Sequence, residues 1–140
     1  MSQQAISGLL LEAFRSLESE IGPALEDRGA FELTPAQARA LLLVDRTGTR
    51  LTELARRAGV TKQAMMQLVD DLQTTGCVRR TPDPEDSRAK VVRLTAKGLR
   101  QRARARKAIQ AVESRLKRQL GPRRFEAFRT TLEELVEPGE

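Results

Sequence analysis

The chain has 140 residues, enough for one domain with its own core, and its 39% apolar content marks it as globular rather than disordered. It has no His, Trp or Tyr and one Cys, which excludes His-dependent nucleophile systems and an intrachain disulfide, leaves almost nothing to build a zinc site, and disfavours base stacking on an aromatic platform. The net charge is +6, yet the stretch from Arg46 to Lys107 holds 16 basic and 6 acidic residues, so that segment carries +10 and the remainder −4; this segregation suits a polyanionic partner, the bland alternative being a solvated Arg-rich surface.

The longest uncharged run, Met1 to Leu11, is far too short for a membrane span and has no basic flank, so a soluble cytoplasmic protein is expected. From Ala5 to Glu26, Ile6, Leu9, Leu10, Ala13, Phe14, Leu17 and Ile21 recur at spacings of three and four, which predicts a helix loosened or kinked near Gly22-Pro23. Thr34-Pro35 has the form of an N-cap followed by a first-turn proline, and the helix it opens runs through Leu41 and Val44 until Thr47-Gly48-Thr49.

Leu51 to Gly59 reads as a short helix with Thr52 able to cap it and Leu54, Ala55 and Ala58 on its apolar side. Thr61 opens a second helix to about Thr75, stopped by Gly76, with Ala64, Leu68 and Leu72 predicted inward and Lys62, Gln63, Met66 and Gln67 outward. Two helices joined by a Gly-Val turn form a helix-turn-helix pattern. The period then changes. Cys77 to Thr81 and Val91 to Thr95 read as strands around the turn-rich Pro82 to Arg88, a β-hairpin wing. Thr95 caps a long helix from Ala96 to about Leu120, with Ile109, Val112, Leu116 and Leu120 as its stripe, and Gly121-Pro122 separates it from a last helix carrying Phe125, Phe128, Leu132, Leu135 and Val136. The fold class is mainly α with a small β component, a winged helix-turn-helix over 34–95 flanked by terminal helices.

At this point the sequence resembles a MarR-family transcriptional regulator. The resemblance rests on Leu51-Thr52-Glu53-Leu54-Ala55 through Gly59-Val60-Thr61-Lys62-Gln63-Ala64, on Leu68-Val69-Asp70-Asp71-Leu72 through Gly76 and Val78, and above all on Asp83-Pro84-Glu85-Asp86-Ser87-Arg88-Ala89-Lys90 with Val92, Leu94-Thr95 and Gly98. It covers nearly the whole chain. It implies one MarR-like domain over 1–140: a homodimer built from 1–30 and 108–140, with 96–120 as connecting helix, and two winged helices facing one double-stranded DNA. Members typically repress nearby genes, and many release DNA on binding small lipophilic or aromatic effectors. No residues of an effector pocket can be named from the sequence.

The residues that follow are specific. Thr61, Lys62, Gln63, Met66 and Gln67 are the expected recognition-helix contacts, since the N-terminal part of a helix in the major groove reaches base edges. Many members have a small polar residue followed by Arg where this chain has Met66-Gln67, which removes a strong guanine contact. The family's Asp-x-Arg wing motif falls on Asp86 and Arg88, with Ser87 between and Lys90 beyond; Arg in a narrow minor groove reads shape. Arg79, Arg80 and Lys97 are phosphate candidates. In the stripe Lys97, Arg100, Arg104 and Lys107, the last two read as a solvated or intersubunit face. Ile6, Leu9, Leu10, Ile109, Val112, Leu116, Phe125, Phe128 and Leu132 are the expected dimer contacts. Cys77 reads as a buried structural thiol rather than a redox switch.

No two glycines lie closer than seven residues, which removes both G-x-G-x-x-G and Walker loops. No catalytic residue, cofactor or metal is expected. The rivals to a sequence-specific dimeric repressor are a winged-helix protein–protein adaptor and a sequence-tolerant architectural DNA binder.

Overall fold

The computed structural model describes residues 3–137; the first residues of the expected dimerisation segment 1–30 and the last of 108–140 lie outside that range. In chain order the elements are α1 (Ile6–Asp27), α2 (Pro35–Leu43), β1 (Thr49–Arg50), α3 (Leu51–Ala58), α4 (Lys62–Thr74), β2 (Val78–Pro82), β3 (Lys90–Leu94), α5 (Ala96–Leu120) and α6 (Pro122–Val136). Three antiparallel strands form a sheet in the order β1-β3-β2, with Val78 opposite Leu94, Arg80 opposite Val92, and Thr49 also opposite Val92. Among the described residues no helix is long and apolar enough to cross a membrane.

Local chemistry sets most of the boundaries. Thr34 and Gln37 form a reciprocal capping box at the start of α2, with Pro35 in its first turn. Thr61 and Thr95 each accept a hydrogen bond from the amide three residues on, Ala64 and Gly98. Gly59 ends α3 at φ +66°, the left-handed conformation that turns the chain into α4 and that costs glycine nothing.

The core is continuous. Leu41, Leu54, Met65, Val69, Leu72, Val78 and Val92 fill the winged helix, and Leu25, Ala105, Ala108 and Val112 extend it between α1 and α5. The wing strands and helices α1 and α5 therefore share one packed core.

Three expectations need correction. Helix α1 continues through Gly22-Pro23 to Asp27, because Ile21 and Leu25 on either side are buried against the core and their burial outweighs the hydrogen bond that Pro23 lacks. The buried face of α4 is Met65, Val69 and Leu72; Ala64 is exposed and Leu68 half-buried. Thr52 does not cap α3, which starts two residues earlier than such a cap would set it, directly from β1, with Arg50 at the cap position and no side-chain cap. Strand β1 itself has only two residues, too few to show a period.

Gly98 explains the Leu-Thr-x-x-Gly sequence. A Cβ there would sit 1.9 Å from the Cys77 carbonyl oxygen. The Thr95 amide donates to that same carbonyl at 3.1 Å, and its hydroxyl donates to the Gly76 carbonyl at 2.5 Å. The first turn of α5 is thus pressed against the start of β2, and Cys77 is fully buried beneath it.

Candidate nucleic-acid interface

Helix α4 presents Lys62, Gln63, Met66 and Gln67 to solvent, as the period of its buried face requires. Thr61 is exposed at its N-terminus, where free amides and the helix dipole favour an anion. Helix α3 packs behind it and is tied to the end of α2 by a charge network. Glu53 accepts from Arg56 at 2.6 and 3.0 Å and from Arg57 at 3.1 Å; Arg57 also donates to both Asp45 oxygens at 3.1 Å and to the Leu43 carbonyl at 3.0 Å.

These hydrogen bonds hold Glu53 well below its ordinary 4.5, at about 2, with Arg56 and then Arg57 as the main causes. Asp45 is lowered chiefly by Arg57, and Asp83 chiefly by the Glu85 amide and then by Arg50. Carboxylates that bind protons more weakly folded than unfolded stabilise the fold fully above the ordinary carboxylate range, and that contribution disappears as pH falls. For Glu53 the window runs from 4.5 down to about 2. Denaturant titrations at pH 6 and pH 3 are expected to show a lower midpoint at pH 3, with a smaller drop in Glu53→Gln. Equal drops in both proteins would remove Glu53 from this account.

The wing is a reverse turn built on acidic acceptors. Asp83, nearly buried, takes the Arg50 guanidinium at 2.6 Å and the Glu85 amide at 2.9 Å, fixing the wing base to β1. Asp86 accepts from the Arg88 amide at 3.1 Å and lies 3.5 Å from its Nε. The Arg88 side chain is 93% exposed, so this pair adds little stability and leaves the guanidinium at the tip. Ser87 and Lys90 are exposed beside it.

The three phosphate candidates separate. Arg79 is exposed on β2. Arg80 is committed to α4, donating to Asp70 at 2.6 Å, to Gln73 at 3.0 Å and to the Met66 carbonyl at 3.5 Å. Lys97 donates to the Thr75 carbonyl at 2.7 Å and pairs with Glu32 at 2.9 Å. Both tie α4 and the turn after it to neighbouring elements, a role the sequence hid because the partners lie elsewhere along the chain.

Arg102 was missed as well. It lies within the basic run of α5 yet faces inward, donating to the Val44 carbonyl at 2.7 Å; burial, then Arg106 and Arg46, push its pKa down. Its neighbour Arg104 reaches the Gly29 carbonyl at 3.3 Å.

The expected dimer contacts also divide. Ile6, Leu9, Leu10 and Phe128 are exposed, Ile109, Leu116 and Leu132 half-buried, and Val112 and Phe125 already covered within the chain. Between α1, α5 and α6 runs an apolar groove of about 370 Å³ lined by Leu17, Ile21, Ile109, Leu116, Phe128 and Leu132 among others.

Comparison with known proteins gives a consistent result. The profile of the MarR family matches residues 31–89. The chain is 30% identical over 128 residues to the HTH-type transcriptional repressor Rv2887 of Mycobacterium tuberculosis, covering 91% of this chain and 90% of that protein. Among solved structures, CouR from Rhodococcus jostii RHA1 bound to p-coumaroyl-CoA superposes with a TM-score of 0.84 at 26% identity, over 99% of each chain. CouR bound to a 23-mer DNA duplex gives 0.83 at 28% identity, over 95% of this chain and 93% of that one.

Proposed function

The chain belongs to the MarR family of transcriptional regulators, and from that premise we propose that it is a sequence-specific repressor that binds a pseudo-palindromic operator as a cytoplasmic homodimer. The observation that carries this reading is the pairing of an exposed polar face on α4, residues Lys62, Gln63, Met66 and Gln67, with an Arg88 guanidinium held free at the wing tip. A helix face and an arginine-tipped hairpin on one rigid body match a major groove and the adjoining minor groove. Residues 34–95 read the DNA, 1–30 and 108–140 join the two copies, and 96–120 connects them. Thr61, Ser87, Lys90 and Arg79 supply phosphate or edge contacts around that centre.

Two-fold symmetry sets half-sites about one helical turn apart, roughly 34–36 Å. The superposition on CouR, solved with a DNA duplex and with p-coumaroyl-CoA, supports release by a small effector. Such an effector acts by favouring a spacing of the two winged helices that no longer fits the operator.

The test is a selection of bound duplexes from the source organism's fragmented genome at near-physiological salt. An enriched inverted repeat is the expected result. Arg88→Ala is expected to weaken binding to that repeat by about 1–3 kcal/mol while the oligomeric state stays unchanged. Indiscriminate DNA retention with a steep salt dependence would instead identify an architectural binder, and no retention would favour a protein–protein adaptor.

A further inference from the structure

The Gln67 side-chain amide is engaged within the chain, donating to Asp71 one turn on. The backbone amide of Thr34 donates to Gln37 Oε1 at 3.1 Å. That fixes Gln37 with its Nε2 pointing onward, where it donates to Asp71 Oδ2 at 3.4 Å. Asp71 Oδ1 accepts from Gln67 Nε2 at 3.1 Å. An ionised carboxylate only accepts, and a backbone N–H only donates, so both amides have one orientation consistent with the relay. At its end Gln67 Oε1 has no partner among the described residues and lies on the exposed face of α4 with Met66.

We infer that Asp71 is a specificity-positioning residue: through Gln37 and the capping box of α2 it locks the Gln67 amide so that its oxygen, with the second Nε2 hydrogen beside it, faces the major groove. The inference rests on the DNA-reading function proposed above and names what that site reads. An outward carbonyl oxygen requires an amino group on the base edge. Adenine N6 and cytosine N4 supply one; guanine O6 and thymine O4 offer only an acceptor, which can take the Nε2 hydrogen but leaves the Gln67 oxygen unpaired. Adenine is favoured over cytosine because its N7 accepts the remaining Nε2 hydrogen.

The experiment uses the full-length protein and the duplex recovered by genomic selection, with every half-site base pair substituted in turn. In the wild type, one symmetric position is expected to prefer adenine over guanine by about tenfold or more. Asp71→Leu, which frees the amide, is expected to reduce that ratio to about threefold or less, leaving the ratios at other positions unaltered. Asp71→Asn, whose own amide accommodates Gln67 in either orientation, relaxes the same position and serves if Asp71→Leu folds poorly. Gln67→Ala abolishes the ratio, and adding Asp71→Leu to it changes nothing more. If Asp71→Leu and Asp71→Asn instead shift affinity by one common factor on every duplex, or leave the adenine ratio intact, the positioning role is overturned while the repressor reading stands. A wild-type protein that selects no duplex overturns that reading and this inference together.

Discussion

Gly98→Ala is expected to lower the melting temperature by about 10 °C, an effect of roughly 3 kcal/mol or more. The added methyl would lie 1.9 Å from the Cys77 carbonyl oxygen and 2.9 Å from its carbon, and both are backbone atoms that no side-chain rotation moves aside. Relief requires α5 to withdraw from β2, which breaks the Thr95 hydrogen bonds to Gly76 and Cys77 and uncovers the buried thiol. The lesion sits between the wing and the long helix, so the surviving fold should also hold the wing at a changed angle and bind DNA more weakly. Gly8→Ala is the control: it is also a helical glycine, but the nearest atom to a Cβ there is the flexible Gln4 side-chain amide at 3.3 Å, and its melting temperature should match or slightly exceed the wild type's. A Gly98→Ala protein melting within about 2 °C of wild type would show that the Leu-Thr-x-x-Gly sequence is not held by this contact.

That glycine illustrates what the sequence conveys and what it hides. Its place in the Leu-Thr-x-x-Gly pattern is readable; the carbonyl that forbids a side chain is 21 positions away along the chain and is known only from the fold. The caps at Thr34, Thr61 and Thr95, and the wing turn, are local chemistry and stand in the structure as the residues indicate. Where local and distant effects compete, the distant ones win. Pro23 should interrupt a helix, but Ile21 and Leu25 are anchored to α5 and carry it through. The adjacent Met65 and Met66 are 0% and 41% exposed, a choice set by which face of α4 meets its neighbours rather than by composition. Within the candidate interface, Arg88 is outward as its motif implies, whereas Arg80 and Lys97 are charged residues of the same appearance whose partners turn them into clamps. Charge in a sequence counts cations; it does not say which of them a nearby carboxylate or carbonyl has already engaged.

Replacing Leu10 and Phe128 together by Glu is expected to yield a folded monomer whose operator affinity is at least about 100-fold weaker than wild type. Both side chains are 41% exposed in the single chain, so their charge costs the isolated fold little. They belong to a larger uncovered set on the first and last helices: Ile6 is 75% exposed, Leu9 50%, Leu135 68% and Val136 78%. In the proposed dimer a two-fold partner covers that apolar surface with the same surface from its own chain. Once the copies separate, each winged helix binds its half-site alone and loses the high effective concentration that linkage confers. Sedimentation at several protein concentrations gives the oligomeric state, and titration of the selected duplex gives the affinity. A double variant that remains dimeric would move the interface elsewhere on the chain. A monomer that still holds the inverted repeat with wild-type affinity would separate DNA recognition from dimerisation, and the spacing mechanism for effector release would then have no rigid frame to act on.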